Sequence, residues 1–351
     1  MNGAHHEVSV SVKKPWFKRK LLIIVGITAL VLPLLFLALV SQWYSSQLLP
    51  RGGEQDIVFT IEQGQASGAI GRNLEEQGII KNQRAFSWYV GREGVRNKLQ
   101  AGSYLLSPSM STQEIVEKLA NGETSRKKVR IPAGFRLAQI EELLTEAGFE
   151  QTDVAEAMAK FRDHKALQFA PNTADLEGYL LPDTYLGGLT APVEDFLQLS
   201  LNEFEKLWTD QRLAAIDEQG LTPHEAVILA SIVQKEADDP DIQKQVAQVF
   251  LKRLREGIPL GADPTFLYAA AILGVKPSTT LDSPYNTRVY KGLPPGPISN
   301  FNPSALEAVA NPADGDFLYF VAGDDGTVYF TKTLAEHQEK TRKYCIENCK
   351  L

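Results

Sequence analysis

Leu21 to Val40 are twenty consecutive positions without a charge, rich in Leu, Ile and Val. At about 1.5 Å per residue, a helix of that length crosses the hydrocarbon core of a bilayer. The run therefore predicts a chain divided between two compartments. Lys13, Lys14, Lys18, Arg19 and Lys20 stand directly before it and Trp43 and Tyr44 directly after it. That flanking pattern predicts a cytoplasmic amino terminus, with aromatic side chains at the far interface. The expected plan is a basic cytoplasmic tail over 1–20, a transmembrane helix over 21–41, a linker over 42–56 and about 300 residues beyond it. A cleavable signal peptide is the competing reading. The run is longer than a usual signal core and Ala38-Leu-Val-Ser41 is a poor small-residue cleavage site, so an uncleaved anchor is preferred.

Charge narrows the partners. The net charge is −7, and residues 1–20 hold five basic side chains against Glu7, or +4, which leaves −11 for the rest. An acidic ectodomain argues against nucleic acid. The five His residues (5, 6, 164, 224 and 337) are scattered and make no H-E-x-x-H pattern, so no metal site and no cofactor are expected. Cys345 and Cys349 are the only cysteines, and no motif joins a His to either of them as a catalytic pair.

Periodicity beyond the linker describes an α+β chain in two units. In the first, over 57–124, Ile57–Ile61 reads as a strand, 67–77 and 84–90 as helices, and 103–106 as a second strand. Ser111 and Glu114 then form a capping box for a helix that Asn121-Gly122 stops. The second unit, over 125–351, is larger. It starts with a strand near 128–131 and a helix over 137–146, and it ends with a hairpin around Gly323-Asp-Asp-Gly326 and a helix over 335–344. Thr222, Pro223 and Glu225 form the start signal of a helix that runs to Glu236.

Glu236 is the residue with the most chemical meaning. Leu229, Ile232 and Val233 precede it by seven, four and three positions, so helical spacing puts a carboxyl group on an apolar stripe. Asp238, Asp239 and Pro240 follow, which places Glu236 in the last turn, where the negative end of the helix dipole opposes another anion. Both effects raise its pKa. A carboxylic acid that keeps its proton near neutral pH can protonate a leaving group, as glycoside cleavage requires. The alternative is a partly exposed helix-end residue with no special role.

Around this helix stand Leu176-Glu177-Gly178-Tyr179, Pro182-Asp183-Thr184, Ala262-Asp263-Pro264-Thr265, Tyr285-Asn286-Thr287 and Gly292-Leu-Pro-Pro-Gly296-Pro297-Ile298. In this order, behind a membrane anchor, they resemble the endolytic murein transglycosylases, the MltG or YceG-like family, over roughly residues 57 to 340. Many members carry Glu where this chain has Gln234, which implies that Glu236 is the catalytic acid here. The resemblance implies a single-pass inner-membrane enzyme whose extracytoplasmic domain cleaves the bond between N-acetylmuramic acid and N-acetylglucosamine inside nascent peptidoglycan strands. It would leave 1,6-anhydro ends, terminate elongation and work beside peptidoglycan synthases.

The resemblance also implies that Glu177, Tyr179, Asp183, Thr184, Asp263, Thr265, Asn286 and Thr287 bind substrate. Such polar residues in loops are otherwise often turn residues bonded to their own backbone. The first unit resembles a LysM-like glycan-binding subdomain, the alternative being a spacer. Two rivals remain: a hydrolytic muramidase, for which Glu177 is the first candidate as second acid, and a non-catalytic glycan-binding scaffold.

Overall fold

The computed structural model describes residues 16–347 apart from Glu54 and divides the chain between Ser125 and Arg126. Lys13, Lys14, His5, His6 and Cys349 lie outside the described residues.

The first unit opens with α1 (Trp16–Leu48), 33 residues long with Pro33 inside it. Its stretch Ile24–Leu48 is long and apolar enough to cross a membrane. Leu30, Phe36 and Leu39 stand more than 60% exposed, bare of any protein surface that would cover them. Residues 42–48, expected in the linker, instead continue the helix. Tyr44 and Leu48 are buried against Ala85, and the Tyr44 ring meets Trp88 edge-on at 4.0 Å, so packing extends what composition alone leaves open.

β1 (Ile57–Ile61), α2 (Ser67–Glu76), α3 (Gln83–Arg92), β2 (Gly102–Leu106) and α4 (Thr112–Asn121) follow. β1 and β2 pair antiparallel, with Ile57 opposite Leu106 and Ile61 opposite Gly102. Strand alternation sends Phe59, Ile61, Tyr104 and Leu106 inward against Ile70, Leu74, Phe86 and Leu119. The Ser111–Glu114 capping box forms as its spacing predicts, and Gly122 ends α4 in the left-handed conformation at φ +68°.

In the second unit β3 (Arg126–Ile131) leads into α5 (Leu137–Glu146) and α6 (Gln151–Lys160), and β4 (Asp183–Gly188) returns antiparallel to β3. Five helices come next: α7 (Val193–Glu205), α8 (Asp210–Glu218), α9 (Pro223–Glu236), α10 (Pro240–Arg255) and α11 (Asp263–Leu273). A long segment then reaches α12 (Pro303–Ala310), the hairpin of β5 (Tyr319–Ala322) and β6 (Val328–Thr331), and α13 (Leu334–Tyr344).

The organising element is α9. The Thr222–Glu225 capping box and Pro223 start it, and every residue from Ala226 to Gln234 is buried. An apolar surface all round a helix requires neighbours all round it, and α8, α10, α11 and α12 supply them. At its far end Gln234 donates to Asp238 Oδ1 at 2.8 Å and accepts from the Asn302 amide at 2.8 Å, at the start of α12. An amide can do both; a carboxylate could not donate. That explains Gln at this position in this chain.

Asn300 fastens the segment before α12 to the loop before α5. Buried at 1% exposure, its side chain accepts from the Phe135 amide at 2.8 Å and donates to the Pro132 carbonyl at 2.9 Å. Asn300→Ala strands both partners without water, so it should cost about 2–4 kcal/mol of stability. A urea midpoint shifted by less than that range would show that the loop finds other partners.

Candidate active site

Glu236 occupies the last turn of α9, and the chain then leaves the helix through an extended Ala237. Asp239 caps the next helix by accepting from the Asp241 and Ile242 amides, both at 3.0 Å, which holds the break open. The carboxyl of Glu236 faces a cavity of 390 Å³ lined by residues of α10, the start of α11, the β5–β6 hairpin and α13, among them Arg253, Asp263, Arg288 and His337. One edge of its side chain stays exposed, yet the walls crowd it so closely that burial dominates its chemistry. Burial pushes its pKa up to about 8, the negative charge of Asp263 pushes the same way, and the guanidinium groups of Arg288 and Arg253 draw it down by less.

Asp263 opens α11, where the positive end of the helix dipole favours an anion, and Arg288 is ion-paired to it. Behind this pair lies a buried polar lock. Thr265 and Thr287 share a hydrogen bond at 2.9 Å, and the Ala262 amide donates to Thr287 Oγ1 at 3.1 Å. Asn286 donates to the carbonyls of Thr279 and Leu281 and accepts from the Arg288 amide at 3.1 Å. Thr265, Asn286 and Thr287 are each at most 1% exposed, so none of them presents a group to a ligand. The resemblance implies that they bind substrate; in the structure their side chains are bonded to one another and to backbone next to Asp263 and Arg288.

Glu177 and Tyr179 belong to another cavity, of 250 Å³, together with His224, Tyr268 and Tyr285. Both Glu177 oxygens accept from the Leu137 amide, at 3.0 and 3.1 Å, so this carboxyl caps α5 from 40 residues away. Tyr268 donates to it at 3.3 Å. Burial raises the Glu177 pKa to about 7 against the pull of the Leu137 amide. Tyr179, 1% exposed, shares a 2.8 Å hydrogen bond with His224 Nδ1. Gly178 between them is at φ +85°, and a Cβ there would stand 2.6 Å from that of Pro297, so the motif needs Gly for this close approach.

The acid beside Glu236 is thus Asp263, not Glu177. Asp183 and Thr184 begin β4 and line neither cavity; Asp183 accepts from the Thr184 amide at 2.6 Å. A further depression of 330 Å³ is lined by Lys235, Pro264 and Tyr268, and Tyr268 also lines the Glu177 cavity.

Sequence reasoning missed α11 as a helix and missed Arg253 and Arg288. An Asp-Pro start, eight apolar residues from Phe266 and the stop at Gly274 could have revealed α11. The two arginines carry no local signal.

Comparison with known proteins adds a family. The model of the YceG-like family matches residues 59–343. A Bacillus subtilis (strain 168) protein named endolytic murein transglycosylase is 31% identical over 307 residues, which is 82% of this chain and 84% of that protein. A protein of the same name from Streptococcus pneumoniae (D39) is 30% identical over 89% of this chain, and the match spans 64% of its length. The crystal structure of a yceG-like protein from Listeria monocytogenes is 34% identical, with a TM-score of 0.53, covering 82% of this chain and all but 1% of that one.

The raised pKa of Glu236 has a consequence for stability. Between about pH 4.5, the ordinary carboxyl value, and about 8, the folded chain holds a proton that the unfolded chain has released. Stability is therefore lost as pH rises through that window. Glu236→Gln removes the penalty, so the full chain in detergent should melt roughly 8–16 °C higher than wild type at pH 8, for about 4 kcal/mol, and no higher at pH 4.5. An offset independent of pH would contradict the assignment.

Proposed function

The chain belongs to the YceG-like family, and from that footing we propose that it is an endolytic murein transglycosylase, a peptidoglycan lyase whose acid and base is Glu236. The observation that carries this is a carboxyl group at the side of an open cavity, where burial pushes its pKa up to about 8. In the first step Glu236 gives that proton to the oxygen linking N-acetylmuramic acid to N-acetylglucosamine as the bond from the anomeric carbon breaks. In the second, its carboxylate takes the proton of the C6 hydroxyl on the same muramoyl unit while that oxygen bonds to the anomeric carbon. The acid is regenerated, a 1,6-anhydro ring closes and no water is consumed.

Asp263, ion-paired to Arg288 on the wall of the Glu236 cavity, is assigned to stabilise the positive charge that develops at the anomeric carbon. Asp263 also supports the one serious variant of this reading. A second carboxylate facing the acid is what a hydrolytic muramidase uses to activate water.

The depression beside Lys235 shares Tyr268 with the Glu177 cavity, and its Lys235 and Pro264 are the chain neighbours of Glu236 and Asp263, which supports a path for several sugars and hence cleavage within a strand. Glu177 acts in this reading by fixing α5 and one end of the path. The apolar helix α1 and the basic residues before it support a single-pass anchor in the inner membrane, with the catalytic unit outside and nascent strands, made by neighbouring synthases, as the substrate. The strand–helix–helix–strand order of the first unit supports a LysM-like module in contact with glycan.

Purified full-length chain should release strands with 1,6-anhydro ends from uncleaved peptidoglycan, as read by mass spectrometry. Glu236→Gln should lower turnover at least 1,000-fold, roughly 4 kcal/mol of transition-state stabilisation, whereas Glu177→Gln, which still accepts from Leu137, should keep most of it. Reducing ends instead of anhydro ends would assign Asp263 as a base for water. For wild type the rate should stay level up to about pH 8 and fall tenfold per unit above it, since the acid form of Glu236 is then lost.

A further inference from the structure

Arg253 is a cation without an anion of its own. It leaves the last turn of α10 into the Glu236 cavity, donates from Nε to the Leu318 carbonyl at 2.7 Å and from Nη1 to the Leu260 carbonyl at 2.6 Å, and lies 5.1 Å from the centre of the Tyr319 ring. Among the described residues no carboxylate is ion-paired to it, and no protein acceptor is bonded to its Nη2. Burial lowers its pKa, the signature of a guanidinium short of compensation. The backbone is shaped around it: Gly261, at φ +62°, passes where a Cβ would sit 3.2 Å from Nη1.

His337, from α13, lines the same cavity, stacked on Tyr319 at 5.3 Å. Its buried Nδ1 has no hydrogen-bond partner, so no protein group fixes the tautomer of the ring and an incoming acceptor can select it. Burial and the charge of Arg253 hold this imidazole below the ordinary His pKa, so it meets a ligand as a neutral donor.

The charges leave room for one anion. Asp263 is ion-paired to Arg288, burial favours the neutral form of Glu236, and Arg253 remains without an ion pair among the described residues. A half-buried, pre-oriented guanidinium with a free edge favours a planar carboxylate.

Resting on the murein reading of this site, we propose that Arg253, assisted by His337, binds a carboxylate carried by the muramoyl unit, so that the cavity selects strands by the acidic groups on their muramic acid. Two sources offer that chemistry. One is a free carboxylate of the peptide stem. The other is the lactyl carboxylate itself, exposed where the stem has been removed. The hairpin β5–β6 and α13 thereby become the part of the fold that reads the side arm of the substrate, while α9 supplies the acid.

The test is binding, so it does not depend on turnover. Full-length Glu236→Gln protein in detergent is titrated at pH 7 with three sets of strands: stem-bearing with free carboxylates, stem-bearing with every carboxylate amidated, and stripped to the lactyl acid. At least one acidic set should bind about tenfold or more tightly than the amidated set, and which one does so names the source. Adding Arg253→Gln or His337→Ala to that protein should shrink the preference. The His337 side chain donates no hydrogen bond that the fold relies on, so its variant remains informative if Arg253→Gln fails to fold. Equal binding of all three sets, or a preference that survives both replacements, would overturn the proposal. Neither result touches the assignment of Glu236, which rests on the products of wild type.

Discussion

Everything in the second unit follows from burying α9 on all sides. A helix apolar around its whole circumference cannot lie on a surface, so four other helices enclose it, and its last turn brings a half-buried carboxyl group to the side of a cavity. Desolvation of that carboxyl is unfavourable for its charged form by several pKa units' worth of free energy, and the protein offsets it only in part through Arg288 and Arg253. The imbalance favours the protonated form. A carboxyl fully compensated by cations would be an anion at neutral pH and could not donate a proton.

The polar residues of the sequence motifs divide into two kinds. Thr265, Asn286 and Thr287 are spent inside the wall, bonded to one another and to backbone, and their effect on chemistry is to fix where Asp263 and Arg288 stand. Glu177 is spent on the amino end of α5, and Gln234 on joining α9 to α12. The groups left facing open space are few: Glu236, the Asp263–Arg288 pair, Arg253 and His337. They arrive from α9, α10, α11, the segment after it and α13, so the site exists only when the whole unit is folded.

Two buried carboxyl groups with raised pKa values invite the thought of a catalytic pair. Their surroundings separate them. Glu236 has no hydrogen-bond donor among the described residues and answers only to burial and to charges at a distance, whereas Glu177 holds a helix amide with both oxygens and a tyrosine with one of them. The first is free to exchange its proton with a ligand; the second is committed to the fold. Tyr268 lines both the Glu177 cavity and the depression beside Lys235.

The sequence by itself determined the features that depend on neighbours along the chain. Twenty uncharged residues require a long apolar helix, the Thr222–Glu225 and Ser111–Glu114 spacings cap their helices, and Glu236 lands on the buried stripe with its proton held up by desolvation. Helix periodicity and capping are short-range, so they can be read from residue order. Which polar residues of the motifs line a cavity was decided only by the tertiary structure. Asp263 and Thr265 lie two positions apart on one helix turn, yet one lines the cavity and the other is fully buried. Arg253 and His337, 84 positions apart in the chain, line one cavity because α13 packs on the β5–β6 hairpin and the hairpin packs on α10. Side-chain direction and long-range contact depend on how whole elements pack, and no local pattern encodes that.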